Sequence, residues 1–183
     1  MLMGRSVPIY GTIIMILFIL SKGLIMNIVC ATKDDLSGWL DLAAEVEYLF
    51  GPMVSDPNFI QAIVKNINRS SAFCVRENDG APGSCLLGGI LFSSVGESSY
   101  KIGWLVVSNR ARNRGIATEL LKYVVKRVNV PSEISVTTFG DDIPDGQPAR
   151  RLYQKFGFVP QEEQIPNGPE GGSRQKFKLL QRA

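Results

Sequence analysis

The stretch "VVSNRARNRGIATELL", Val106 to Leu121, sets three arginines (Arg110, Arg112 and Arg114) and a glycine, Gly115, just ahead of an apolar helical repeat. A helix N-terminus presents unpaired N–H groups and a partial positive charge, so it attracts anions, phosphate oxygens above all. Gly115 lets an anion approach the backbone without meeting a side chain. Arg112 and Arg114 can add charge-assisted contacts, and Thr118 a hydroxyl. The same spacing also fits a solvated basic loop that caps an ordinary core helix. It is neither a Walker A loop nor a dinucleotide fingerprint, because GxxxxGK[ST] and GxGxxG are both missing.

Other chemistries are bounded by what the chain lacks. It contains no histidine, so a Ser-His-Asp or Cys-His nucleophile and a histidine metal site are excluded. Cys30, Cys74 and Cys85 are odd in number and have no CxxC spacing. They read as buried, reduced thiols of a cytoplasmic protein rather than as a metal site or a disulfide framework. Arg5 and Lys22 are the only charges in the first 25 residues, which leaves 18 basic against 17 acidic side chains in residues 26–183. That balance gives no case for nucleic acid as a partner.

The elements around the arginine loop follow from periodicity. "NIVCA" is a short strand, and Asp34 or Asp35 can cap one helix running through "LSGWLDLAAEVEYLF" to Gly51 and Pro52. Asp56 and Pro57 open a second helix whose Phe59, Ile60, Ile63, Val64 and Ile67 recur at helical spacing. "AFCVRE", "LLGGILFSS" and "YKIGWLVV", separated by turns, read as an antiparallel meander. After the loop, Ile116, Leu120, Leu121, Val124, Val125 and Val128 form the buried stripe of an amphipathic helix. "EISVTTF" is a strand, Pro148 to Phe156 a helix ended by Gly157, and a hairpin follows through "IPNGPEGG", with Phe177 and Leu179 on one face. The order is β-α-α-β-β-β-α-β-α-β-β, an α+β arrangement around one mixed sheet.

At 183 residues, 45% apolar and 20% charged, the chain suits one globular domain. Residues 1–25 stand apart. "VPIYGTIIMILFIL" is uncharged and apolar but short for a spanning helix, which needs about 20 residues. It reads as an upstream extension, a membrane anchor or a partner-binding helix, with the folded domain over residues 26–183. Any membrane association rests on this segment alone.

The loop resembles the acetyl-CoA signature of the GNAT superfamily of N-acetyltransferases, [RQ]-x-x-G-x-[GA]: Arg112, Gly115 and Ala117 of "RNRGIA" fill its fixed positions. Leu105 and Val107 are in register with the family's lead-in. "PARRLYQKFGFVP" is similar to the second family motif at Ala149, Leu152, Tyr153, Lys155, Gly157 and Phe158. The resemblance covers about Asn27 to Leu180 and implies a mixed, mostly antiparallel central sheet flanked by helices. It implies acetyl transfer from acetyl-CoA, as cosubstrate and without a metal, to a small-molecule or peptide amine by direct attack in a ternary complex. The enzyme would be an acyltransferase transferring groups other than aminoacyl groups, as a monomer or homodimer. The backbone of Leu105, Val106 and Val107 would pair with the pantetheine arm. The amides of Arg112, Asn113, Arg114, Gly115, Ile116, Ala117 and Thr118 would cradle the pyrophosphate. Tyr153 falls at the general acid for the departing thiolate, or is a core aromatic.

Two departures bear on the chemistry. Trp104 stands where many relatives carry a glutamate base, and Gly146 where an asparagine often contacts the cofactor. A protonated amine must lose a proton before it attacks, so a carboxylate is needed nearby. Asp141 and Asp142 after the fifth strand, and Glu45 and Glu47 on the first helix, are the candidates; each also reads as a solvated surface charge. The rival readings are a catalytically weak acetyl-CoA-binding or regulatory domain and a membrane-tethered interaction protein.

Overall fold

The computed structural model describes residues 26–165 and 172–182. The apolar segment 1–25 and residues 166–171, part of the stretch that the sequence reads as a hairpin turn, lie outside the described residues. The chain runs β1 (Ile28–Cys30), α1 (Leu36–Ala44), α2 (Glu47–Phe50), α3 (Pro57–Asn68), β2 (Ala72–Arg76), β3 (Leu86–Gly96), β4 (Ser99–Val107), α4 (Ile116–Val125), β5 (Ser132–Phe139), α5 (Gln147–Lys155), β6 (Val159–Ile165) and β7 (Arg174–Gln181). Seven strands make one sheet in the order β1-β2-β3-β4-β5-β7-β6. Every neighbouring pair is antiparallel except β4 and β5, which α4 joins as the crossover that a parallel pair requires. Among the described residues, no helix is long and apolar enough to cross a membrane.

Helices cover both faces of the sheet. Under α1 and α3, Trp39, Leu42, Ile63 and Ile67 pack against Cys74, Leu91 and Val106. Under α4 and α5, Ile116, Leu120, Leu121, Val124 and Tyr153 pack against Ile90, Ile102, Ile134, Val136 and Phe177. The α4 stripe is the one its spacing predicts, with Val125 and Val128 half-buried at its margin. Asp56 caps α3 by accepting from the Asn58 N–H at 2.9 Å, with Pro57 in the first turn.

Three expectations are corrected. The first helix is not continuous: it ends at Ala44, Val46 leaves helical geometry at φ −125°, and α2 forms a separate turn closed by Gly51 at φ 77°. The reason is tertiary, because Val46 is drawn into the core and Glu45 is bonded to a distant loop. Neither Asp34 nor Asp35 caps α1 by a side-chain bond. Asp35 instead reaches back to the Thr32 N–H at 2.7 Å and meets Arg76 through two bonds of 2.8 and 2.9 Å. The cysteines are all free, but only Cys74 is buried. Cys30 closes an edge strand with a neighbour on one side only, and Cys85 lies before β3 in an open turn.

The feature that shapes the site is where β4 and β5 stop pairing. Their ladder runs from Ser99↔Glu133 to Ile102↔Val136 and ends there, although β4 continues to Val107 and β5 to Phe139. Beyond it each strand pairs only with its outer neighbour, β3 or β7. A bulge starts the divergence: Leu91 and Phe92 are adjacent on β3, but their partners Trp104 and Ile102 are separated by Gly103. Ile102 therefore faces α4 while Trp104 faces α1 and α3, although residues two apart in a regular strand share a face.

Candidate active site

The carboxyl ends of β4 and β5 open into a crevice, the usual location for a ligand in a sheet that holds parallel strands. On its β4 wall, Leu105 to Val107 hydrogen-bond to β3 but have no partner on the β5 side. Ser108 follows, 1% exposed, and the chain makes a tight turn over Asn109–Ala111 with Ala111 fully buried. From there to Gly115 the loop is exposed.

Two left-handed residues shape its tip, Asn113 at φ 61° and Gly115 at φ 80°. A Cβ added at Gly115 would meet nothing within 4 Å. Glycine is needed there for its dihedral angle, and the space in front of it is open. The first helical bond of α4 runs from the Glu119 N–H to the Gly115 carbonyl at 3.0 Å. Among the described residues no acceptor takes up the N–H groups of Asn113, Arg114, Gly115, Ile116, Ala117 or Thr118. Six consecutive free donors, at the positive end of a helix, form a concentrated anion receptor. Of the three arginines, Arg110 is held by Glu77 through bonds of 2.6 and 3.2 Å. The Arg112 and Arg114 guanidinium groups have no hydrogen-bond or ion-pair partner among the described residues.

The carboxylates sort by their partners. Glu45 accepts from the Ser108 hydroxyl at 2.8 Å and from the Asn109 N–H. Glu47 accepts from the N–H groups of Val54 at 2.8 Å and Met53 at 2.7 Å, which hold its carboxyl below the usual range. Both are therefore bonded to turn donors while remaining partly exposed. Asp141 and Asp142 are exposed in the loop after β5. Asp142 accepts from the Ser173 hydroxyl, and the Asp141 carbonyl accepts from the Gln147 side chain at 2.8 Å.

Tyr153 lies 4% exposed on α5, with ring centroids 5.5 Å from Phe158 and 6.3 Å from Phe177. Burial pushes its phenol well above the ordinary value, so the group stays protonated. Gly146 is a packing requirement, because a Cβ there would lie 2.3 Å from that of Phe139. Two further features carried no sequence signal. Arg150, 7% exposed, donates to the Phe139 carbonyl at 3.0 Å and to Gln175 at 2.8 Å, which fixes the end of β5. Trp104 joins Trp39 at 6.0 Å and Phe59 at 5.2 Å between centroids, which makes the α1–α3 side of the β4 wall aromatic. These contacts join residues far apart in the chain, so no local pattern announces them. Among the described residues no three His, Cys, Asp or Glu side chains form a group able to hold a metal ion.

The strand-and-helix order, the divergence of a single parallel pair and the free amides at the start of α4 define an acetyltransferase-type architecture. The family model described as Acetyltransferase (GNAT) family matches residues 35–158, and the chain belongs to that family. Solved structures share the fold. A GNAT-family acetyltransferase of Bacillus cereus superposes with a TM-score of 0.65 at 18% identity, covering 87% of this chain and 99% of that one. A ribosomal-protein-alanine N-acetyltransferase of Brucella melitensis gives 0.65 at 15% identity over 85% and 100%. A chain of the NatC complex, solved with a Gag peptide and CoA, gives 0.63 at 18% identity over 85% and 99%. At these identities the likeness is one of fold. No curated protein sequence matches the chain at significance.

Proposed function

We propose that the protein transfers an acetyl group from acetyl-CoA to an amine of a small molecule or peptide, by direct attack within a ternary complex. The observation that carries this reading is the run of six unpartnered amides from Asn113 to Thr118, set beside Arg112 and Arg114 at the end of a strand whose inner edge is free. The amides and the two guanidinium groups would bind the pyrophosphate. The free edge of Leu105–Val107 would hydrogen-bond the pantetheine arm as an added strand and aim the thioester into the crevice. Acetyl-CoA supplies an activated carbonyl; the amine nitrogen forms a bond to that carbon as the C–S bond breaks.

Two proton transfers are left to the chain. Tyr153 is kept protonated by burial and would give its proton to the departing thiolate. We assign the exposed Asp141 and Asp142, in the loop after β5, to take the proton of the incoming ammonium, through water. The three free cysteines suit the reducing cytoplasm.

Gly115→Glu tests the phosphate site. It puts a carboxylate into the open space before the amides, where like charges oppose each other by several kcal/mol. Calorimetry should show acetyl-CoA binding weakened at least about tenfold. Gly115→Ala is the control for backbone strain, with a stability loss of about 1 kcal/mol and a smaller loss of affinity. A folded Gly115→Glu protein that binds as tightly as wild type would place the pyrophosphate elsewhere. Acetyl-CoA consumption over a panel of amines separates an enzyme from a binding-only domain.

A further inference from the structure

The phosphate loop is exposed at its tip, yet it must present its amides in one arrangement if they are to bind one anion. Its base is held at three points. Ala111 is inserted into the core with no exposure, which anchors the turn by packing, and Arg110 is paired with Glu77 at the exposed surface. The third restraint is Glu45, the residue that follows α1, 63 positions before Ser108 in the chain. One of its carboxylate oxygens accepts from the Ser108 hydroxyl at 2.8 Å and the other from the Asn109 N–H.

A carboxylate there opposes the helix end and competes with a bound anion, although it also attracts the nearby Arg110 guanidinium. It sits at the C-terminal end of a helix, where the backbone carbonyls already concentrate negative charge, and at the base of a loop that otherwise collects positive charge for an anion. Resting on the acetyl-transfer reading above, we infer that Glu45 is a positioning residue for the cosubstrate loop. Both of its oxygens hold donors at the point where β4 ends and the loop begins, and this sets the direction in which Asn113–Thr118 present their N–H groups.

Charge and geometry can be separated by two variants. Glu45→Gln removes the negative charge but keeps an oxygen for the Asn109 N–H and a polar group for Ser108. Glu45→Ala removes every contact. Binding of acetyl-CoA and of S-acetylpantetheine, which has the thioester arm but no pyrophosphate, is measured by calorimetry and ligand-observed NMR on the full chain. Thermal denaturation monitors folding. The expected result is acetyl-CoA binding weakened at least about threefold in Glu45→Ala and held at or above the wild-type affinity in Glu45→Gln. S-acetylpantetheine binding should change by less than about threefold in both.

A purely structural role would weaken both ligands together in Glu45→Ala, and a purely repulsive charge would make both variants bind acetyl-CoA more tightly. Either result overturns the inference, as does Glu45→Ala binding acetyl-CoA within threefold of wild type. If folded wild-type protein binds neither ligand, the acetyl-transfer reading fails and this inference with it. If wild type binds and Gly115→Glu does not, that reading stands whatever Glu45 does.

Discussion

Tyr153 lies between the rings of Phe158 and Phe177, and that setting decides what its hydroxyl can do. No hydrogen bond joins the hydroxyl to a described residue, and desolvation holds the phenol protonated. A group in that state can donate a proton but cannot act as a base near neutral pH. Tyr153→Phe keeps the ring and its packing, so thermal stability should change by less than about 1 kcal/mol, since no protein hydrogen bond is lost. If Tyr153 is the general acid, kcat falls about 100- to 10,000-fold while acetyl-CoA affinity is unchanged. Steady-state rates with calorimetric affinities read both numbers. A kcat within about threefold of wild type would make Tyr153 a core residue and leave protonation of the thiolate to water.

The connection from β1 to α1 shows a buried charge stabilising an element. Asp35 has no exposure and Arg76 little. Burial alone would raise the Asp35 carboxyl, but the Arg76 guanidinium and the Thr32 and Gly83 N–H groups outweigh it and bring the value down to about 2. A carboxyl depressed on folding stabilises the protein above its unfolded value near 3.9 and loses that contribution as pH falls through its folded value. The shift corresponds to about 2 kcal/mol, so thermal denaturation from pH 5 to pH 2 should show stability falling mainly below pH 4. Arg76→Ala leaves the carboxylate buried without its partner and should cost about 3–5 kcal/mol at neutral pH. A loss under about 1 kcal/mol in chemical denaturation would mean that water replaces the guanidinium.

What the sequence disclosed at this scale follows from the range of the interactions. Asp56 and Pro57 cap α3 through contacts within two residues, and the α4 stripe repeats within one helix, so both were legible. The start of α4 after Gly115 was legible for the same reason, because a helix start and the chain before it are local. The break at Val46, the bulge at Gly103 and the partners of Glu45 and Asp35 depend on residues about 10 to 60 positions away in the chain. A single sequence shows each of them as an ordinary polar, apolar or flexible position. Asp34 and Asp35 illustrate the limit: the cap signal is present, but which aspartate is buried against Arg76 is decided by the tertiary fold.

Across the whole molecule, burial differs sharply among residues of one type. Cys74 lies under the α1–α3 layer, where desolvation pushes its thiol up to about 12, whereas Cys30 and Cys85 are exposed. The thiolate is the reactive form. Iodoacetamide at pH 8 should therefore modify Cys30 and Cys85 in the native protein and reach Cys74 only on unfolding. Intact-mass spectrometry should show two additions without denaturant and three with it. Rapid native labelling of Cys74 would mean that the α1–α3 layer opens readily.

The short parallel ladder also has a mechanical meaning. β1 to β4 form one antiparallel plate and β5 to β7 another, and the seam between them is four residue pairs long, Ser99 to Ile102 against Glu133 to Val136. A wedge driven into the crevice acts on this seam at its inner end, with the length of the unpaired strands as the lever. The seam is backed by buried core side chains, since Ile102 and Ile134 are each no more than 1% exposed. Phe50 on Phe139, centroids 5.0 Å apart, ties the far side of the opening from above. Spreading the two plates would therefore break those four residue pairs and expose the side chains packed behind them.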